Sequence, residues 1–386
     1  MRFTQPTAAR QLNRLRILNL LSQHEGLSRA DVSRLLGLNK VSTGEIVDIL
    51  IHEGMIGETG PRTTTAGRRP VALELNKDCK MVMAVDVGTR NTSVALVNLA
   101  GEMLRYERFP TAQEPTPEQM AATIIQAITK FFSRMKDPSL VSGMAVSIPG
   151  VVEPATGSVL HAPDWGWESV PLAYALKKHL PFPVLVENNV RSMVFGERWF
   201  AEISPETTYF YVNWGEHIGA AWLAGGKIIS QDCQFGHIPV AQTGVCRCSA
   251  VGCLETQAAG WALIENYPEV TSVKQLCSMA ESESVIDGEL LQAAESLAQG
   301  LIFAGALLRP DKIIIGGGIA ALPDRYFSAL VKTFNRKASP LISKKTTIER
   351  SQLGERAGIL GTAAMALDEF VFKRSLLDQL KHHQKS

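Results

Sequence analysis

The chain has 386 residues, 45% hydrophobic and 20% charged, with a formal net charge of +1; at this length such a composition predicts two or three globular domains with sizeable cores. No run of about 18 apolar residues occurs, which argues against a membrane span, and the basic start MRFTQPTAARQLNRLR lacks the apolar stretch and cleavage site of a secretory leader, so a cytoplasmic protein is expected. The near-zero net charge hides an asymmetry: residues 1–75 hold 10 Lys/Arg against 7 Asp/Glu and the remainder 29 against 31, a mildly basic head compatible with contact to DNA.

In chain order, Leu12, Leu15, Leu18 and Leu21 recur at helical spacing, with Ile17 and Leu20 widening the face, and predict an amphipathic helix over about residues 8–23. Ser28, with Asp31 three residues on, reads as the N-terminal cap of a short helix, RADVSRLL, that ends at Gly37. A third helix begins near Asn39 or Lys40 and carries Val41, Ile46, Val47, Ile49 and Leu50 before Gly54. Long helix, short helix, tight turn, third helix is the helix-turn-helix plan, whose last helix enters the major groove. Asn39, Lys40, Ser42 and Thr43, and Glu45 beside them, are the side chains placed to reach bases or phosphates; a structural three-helix bundle with a solvated face has the same pattern. The next stretch, MIGETGPRTTTAGRRPVALELN, reads as two extended runs around a tip holding Arg62, Gly67, Arg68, Arg69 and Pro70. On this flexible tip Gly permits close backbone approach, Pro stiffens an extended path and two arginines can enter a narrow minor groove; with three helices directly upstream a winged DNA-binding domain over 1–75 is favoured over an unpartnered basic hairpin.

From residue 81 the pattern changes. MVMAVDVGTRNTSVALVNLAGEML reads as a hairpin continuing into a third strand, and TYFYVNWGEHIGAAWLAGGKII echoes it, which suggests two related lobes. Helical PEQMAATIIQAITKFFSRM, the strands SGMAVSIPG and PVLVENN, the helix VRSMVFGERWFAE and the strand DKIIIGGGIA alternate as in α/β lobes, and GERAGILGTAAMALDEF reads as a closing helix.

Six cysteines occur, three of them within eight residues. The arrangement His237-x8-Cys246-x-Cys248-x4-Cys253 offers one nitrogen and three sulfur ligands, the number and type a tetrahedral Zn²⁺ takes. Four protein ligands close the shell, so such a zinc is structural and activates no water; incidental buried thiols beside a core histidine are the alternative.

These segments together resemble the ROK family (repressors, open reading frames, kinases), specifically its repressor branch. The resemblance runs over nearly the whole chain: TAGRRPVALELN, DVGTRNTS, SIPGVVEPATGSVLHAPDWGW, VENNVRSMVFGE, FGHIPV, CRCSAVGCLE, IIIGGG and GERAGILGTAA. It implies an α+β multidomain chain, a winged helix-turn-helix followed over 81–386 by a two-lobed actin/hexokinase-like (RNase H-like) domain. Lobe 1 is expected at about 81–200 plus the C-terminal helix, lobe 2 at about 201–365. It also favours zinc at His237, Cys246, Cys248 and Cys253, and it places Gly150, Asp164, Asn188, Asn189, Gln234, His237 and Glu255 around a hexose-like ligand. Gln234 stands where the family usually has Glu, and Asp164 where Asn is common.

Departures from the kinase members decide the expected function. Their first phosphate turn is usually Asp-x-Gly-Gly-Thr; here it is Asp86-Val87-Gly88-Thr89-Arg90. The second is usually Thr- and Gly-rich; here it is Asn213-Trp214-Gly215-Glu216-His217-Ile218-Gly219, where Glu216 by charge and Trp214 by volume are expected to oppose a polyphosphate. Gly316-Gly317-Gly318, on the adenosine side, remain. Kinases of the family read Glu-Asn-Asp, the Asp acting as general base; here the run is Glu187-Asn188-Asn189, and a neutral amide cannot take a proton from a sugar hydroxyl. Loss of general-base catalysis costs about 10²–10⁴-fold. The expectation is therefore a repressor of carbohydrate-metabolism genes, without kinase activity, gated by a sugar or sugar derivative. It would bind a double-stranded operator as a homodimer or homotetramer. An ATP-dependent sugar kinase with an accessory DNA-binding domain is the alternative, and a sugar-transporter component is a further conceivable protein partner.

Overall fold

The computed structural model describes residues 6–61, 71–200, 207–225, 227–229, 233–320 and 323–373. Arg62, Arg68 and Arg69, with Gly67 and Pro70, lie outside the described residues.

The head contains helices α1 (Pro6–Gln23), α2 (Arg29–Leu36) and α3 (Lys40–His52) and a small sheet ordered β1 (Leu27–Ser28), β3 (Val71–Leu75), β2 (Ile56–Pro61). Local chemistry sets its joints. The Ser28 hydroxyl accepts from the Asp31 amide while the Asp31 carboxylate accepts from the Ser28 amide, closing a capping box at α2. Gly37 ends α2 in the left-handed conformation, φ 64°. Asn39 caps α3 by accepting from the Val41 amide at 2.8 Å. Ile17, Leu18 and Leu21 meet Val32, Ile46, Val47 and Leu50 in the core, and the buried Arg14 of α1 pairs with Glu53 at the end of α3. Removing one member of so buried a pair strands the other, which ties α1 to the end of α3.

The body consists of two sheets with one plan. The first has the order β11-β7-β4-β5-β6: the antiparallel meander β4 (Met81–Val87), β5 (Asn91–Asn98), β6 (Met103–Pro110), with β7 (Val141–Ile148) and β11 (Val184–Asn188) added in parallel beside β4. The second has the order β14-β13-β12-β15-β16: the meander β12 (Tyr209–Trp214), β13 (Ile218–Ala224), β14 (Lys227–Ile228), with β15 (Lys312–Gly316) and β16 (Thr347–Arg350) in parallel beside β12. The echo between the two hairpins in the sequence is thus a duplicated sheet. The first lobe adds α4 (Pro117–Phe132), α5 (Leu172–Lys177) and a small sheet of β8 (Val151–Glu153), β9 (Ser158–Ala162) and β10 (Trp167–Val170). The second adds α7 (Glu255–Ala258), α8 (Gly260–Ile264), α9 (Val273–Met279), α10 (Ser284–Leu308), α11 (Asp324–Lys337) and α12 (Pro340–Ser343). By length and composition α10 could cross a membrane. Its Ile286, Leu290, Leu297 and Leu301 are buried in the second lobe's core, which makes it a core helix.

Two helices join these parts. Helix α6 (Asn189–Phe200) leaves the end of β11, and α13 (Ala357–Ala366), continued by a π-helical turn Leu367–Lys373, crosses it and covers β4 and β7. The closing helix therefore packs on the first sheet, the lobe to which the sequence reading adds a C-terminal helix; only the bound of about 365 given there for the second lobe overlaps it. The crossing is backbone to backbone: a Cβ on Gly361 would stand 2.2 Å from the Ser192 carbonyl oxygen, and one on Gly196 would stand 2.9 Å from the Gly361 Cα. At the far end of α6 the Trp199 ring lies 5.2 Å from that of Phe372. Both belong to the same buried cluster as Ile17, Leu18 and Leu21 of the head. The head thus shares a core with the first lobe.

Gly361→Ala should lower unfolding free energy by about 1–3 kcal/mol or more, the cost of overpacking a close contact. Gly288→Ala, at an exposed position of α10 with nothing near its Cβ, should be neutral or stabilising by about 0.5–1 kcal/mol. Urea denaturation of the two variants checks this; equal stabilities would contradict the close crossing.

Candidate ligand cleft and metal centre

A cleft of about 870 Å³ opens between the two lobes, within the range of small-molecule sites. Gly150, Asp164, Asn188, Asn189, Gln234, His237 and Glu255, drawn from both lobes, all line it.

Their roles separate on geometry. The Asn188 side chain is consumed locally: Nδ2 donates to the Gly150 carbonyl at 2.8 Å, and Oδ1 accepts from the amides of Val190 and Arg191 at 2.9 and 3.1 Å. It therefore caps α6 and fixes the Gly150 turn. Asn189 Oδ1 accepts from the Val190 amide at 2.8 Å; among the described residues no acceptor meets its Nδ2, which leaves a donor for a ligand. The Glu187 carboxyl is buried away from the cleft, raised by that burial, with the Arg191 Nε at 3.1 Å opposing the rise.

The sequence reading missed the ionic centre of the cleft. His217 places Nε2 3.1 Å from Asp164 Oδ1 and Nδ1 3.4 Å from Glu255 Oε1, joining the walls of the two lobes. The Nε2 contact is an ion-pair distance off the hydrogen-bond direction. Burial alone would lower the imidazole, but the two carboxylates outweigh it and push it up to about 10, so His217 is an imidazolium at neutral pH. Burial works to raise Asp164 and Glu255, and the imidazolium nevertheless holds both below their ordinary values. Glu255 also accepts from the Ile218 amide at 2.8 Å and from Trp261 Nε1 at 3.3 Å. Arg247 lies 3.9 Å from Asp164 and stacks over the Trp261 ring at 4.6 Å. A histidine in a glycine-type turn is the only trace of this in the sequence; its partners are 53 and 38 positions away.

A second link crosses the cleft between the two turns. Arg90 donates from Nε and Nη2 to both oxygens of Glu216, at 2.9 and 2.8 Å, and from Nη1 to the Thr271 carbonyl. Trp214 is a correction: it is 2% exposed, packs in the second lobe's core and donates from Nε1 to the Ala258 carbonyl at 2.8 Å. It contributes no bulk to the cleft; Glu216 does stand there. Asp86, at the end of β4, is raised by burial and accepts from the Ser147 hydroxyl at 2.7 Å, which in turn accepts from Thr362 at 2.7 Å.

Beside the cleft, His237, Cys246, Cys248 and Cys253 bring their ligand atoms within 4.8 Å of one another. His237 Nδ1 lies 3.6 Å from Cys246 Sγ, and Cys248 Sγ lies 3.7 Å from Cys253 Sγ. Around a metal with sulfur at about 2.3 Å, a tetrahedron has edges of about 3.8 Å, so the set fits a four-coordinate ion. Gly252 makes the loop possible: its φ is 75°, and a Cβ there would stand 1.9 Å from the Ala241 carbonyl oxygen. With Nδ1 turned to the cysteines, His237 keeps Nε2 for the cleft it lines.

On the head, Asn39, Lys40, Val41, Ser42 and Glu45 are exposed at the start of α3. Thr43 is not: it is 1% exposed and its hydroxyl donates to the Asn39 carbonyl at 2.9 Å. It supports the first turn of α3 from inside instead of facing outward.

Comparison with known proteins places these features in a context. The sequence profile of the ROK family matches residues 82–369. A xylose repressor of Caldicellulosiruptor bescii is 27% identical, covering 95% of this chain and 98% of that protein. The crystal structure of a ROK family transcriptional regulator, a homolog of the E. coli MLC protein, superposes with a TM-score of 0.76 at 22% identity over 96% of this chain and 99% of its own. The ROK family glucokinase of Streptomyces griseus, solved with glucose and AMPPNP, superposes with a TM-score of 0.64 at 23% identity, covering 74% of this chain and 98% of its own.

The His217 bridge predicts a pH dependence. The group rises from its ordinary 6.5 to about 10 on folding, so its stabilisation is full below pH 6.5 and is lost as pH climbs toward 10. Asp164 and Glu255, both lowered, add stability that is lost on acidification instead. Denaturant unfolding of wild type and His217→Gln should therefore converge between pH 7 and 10; a gap that stays constant over that range would contradict the bridge.

Proposed function

This chain belongs to the ROK family, and from that premise we propose that it is a sugar-responsive, DNA-binding transcriptional repressor whose cleft holds a carbohydrate without phosphorylating it. The observation that carries the reading is Asn189, which sits in the cleft at the first turn of α6 with an amide where a kinase needs a carboxylate. An amide donates to and accepts from hydroxyls but cannot deprotonate one near neutral pH. The full-length match to a xylose repressor supports the regulatory reading, as does the glucokinase likeness that covers only 74% of this chain.

In this reading the N-terminal unit, 1–75, is the winged helix-turn-helix. Exposed Asn39, Lys40 and Ser42 meet the operator from α3, and Arg62, Arg68 and Arg69 contribute from the wing. The ROK unit begins at residue 81. A homodimer or homotetramer presents paired recognition helices to a palindromic operator. The ligand contacts Gly150, Asp164, Asn189, Gln234, His237 and Glu255, with Asn188 holding the wall behind them. Zinc is the ion of the Cys₃His set, since three sulfurs and one nitrogen in a closed tetrahedron suit it. It supplies a fixed loop: the ion orients His237, and with it the turn that carries Gln234. A sugar that binds two lobe poses unequally shifts α6, whose far end lies in the core shared with α1.

A gel shift of DNA from the promoter beside the chain's own gene should show a retarded band at low salt whose affinity changes when the effector sugar is added. No protein-dependent shift with zinc-loaded protein would overturn the reading. A coupled ADP-release assay over a sugar panel separates it from the kinase alternative: wild type should show no turnover above the protein-free control. Inductively coupled plasma mass spectrometry should find one zinc per chain, lost in Cys253→Ser together with a lower melting temperature; a full zinc complement in that variant would contradict the site.

A further inference from the structure

We propose that Arg90 and Glu216 determine the ligand class of the cleft: their ion pair closes the gap between the two turns, so that the cleft takes an uncharged monosaccharide and refuses phosphorylated ligands, whether sugar phosphates or nucleotides. The inference rests on the sugar-binding reading above and narrows it.

Two observations carry it. The first is the geometry of the pair. Arg90 follows the Gly88 turn between β4 and β5 in the first lobe, and Glu216 stands in the turn between β12 and β13 in the second. Two parallel N–H···O contacts of 2.9 and 2.8 Å, with a third bond to the Thr271 carbonyl, use all three guanidinium nitrogens. This is the fork-to-fork arrangement in which arginine is most directional. A phosphate entering between the turns meets the Glu216 carboxylate and must take Arg90 away from it.

The second observation is the charge balance of the lining. His217 is held between Asp164 and Glu255, with Arg247 beside Asp164. Arg191 is held by Glu187, and Arg90 by Glu216. The exposed Arg108, Lys274 and Arg356 share the lining with Asp86, Glu281 and Glu355. An uncharged polyol finds donors and acceptors in such a site at no cost in net charge. A phosphate dianion finds Arg90, Arg191 and His217 already paired with carboxylates, and displacing a carboxylate from one of them leaves that carboxylate in a largely buried site.

Isothermal titration of full-length, zinc-loaded protein tests the proposal with xylose, glucose, N-acetylglucosamine, glucose 6-phosphate, N-acetylglucosamine 6-phosphate and ADP. Wild type should bind a neutral sugar and none of the phosphorylated probes. Glu216→Gln frees the Arg90 fork and should gain affinity for a phosphorylated probe by about tenfold or more, the worth of a charge-assisted hydrogen bond. The paired swap Arg90→Glu with Glu216→Arg should restore refusal, and Arg90→Glu alone should not bind phosphate. Wild type binding a sugar phosphate as tightly as the neutral sugar, or Glu216→Gln leaving selection unchanged, overturns the proposal. If no sugar of either kind binds wild type, the sugar-responsive reading fails by itself. The ADP arm then still decides the latch: binding gained in Glu216→Gln supports it, and no gain overturns it.

Discussion

The contact of α6 with α13, Gly196 against Gly361, is the constraint on which the rest of the architecture depends. Only glycines allow two helices to touch through their backbones, and at that spacing neither helix slides without moving the other. Helix α6 begins in the cleft, where Asn188 caps it and ties it to Gly150, and ends at Trp199, against Phe372. Helix α13 begins beside Asp86, into whose carboxylate a Cβ on Gly358 would intrude, and runs into the π-helical turn that carries Phe372. Both helices therefore connect the ligand-facing end of the first sheet to the core that also contains Ile17, Leu18 and Leu21. A rigid connection of this kind transmits a displacement instead of absorbing it, because packed cores rearrange between discrete states.

In the proposed reading the cleft binds its ligand without reacting with it. Phosphoryl transfer needs a base, an in-line donor and charge neutralisation for it. Position 189 offers an amide, and the turns that would receive a donor are tied together by Arg90 and Glu216. What remains is a set of hydrogen-bonding groups whose charges are paired across the lobes. His217 is central: it holds Asp164 on one wall and Glu255 on the other. Ligand hydroxyls that approach these carboxylates compete with the same contacts that set the distance between the lobes, so occupancy and lobe pose are linked by construction.

Local signals carried much of this in the sequence. Ser28 with Asp31, Gly37 and Asn39 mark helix ends by chemistry that acts within four residues, and the structure places each cap there. The duplicated hairpin was legible because period-two alternation survives in both copies. The metal set was legible because three of its ligands lie in one short loop. Contacts between distant segments left no such trace. Thr43 reads as an outward polar residue, but helical phase turns it into the core. Trp214 reads as an obstacle in a turn, yet as the last residue of β12 it faces the second lobe's core, where Ala258 receives its indole N–H. The pairing of Arg90 with Glu216, 126 positions apart, depends on how the lobes approach, which no local pattern encodes.

The central claim is that cleft and head move as one body through a shared core. Hydrogen–deuterium exchange of the full-length protein, with and without saturating effector sugar and in the absence of DNA, reads that connection directly. The account predicts that sugar alters protection in α6 and, together with it, in the segment of α1 around Ile17–Leu21. Changes confined to the residues lining the cleft, with α1 exchanging at an unaltered rate, would contradict it.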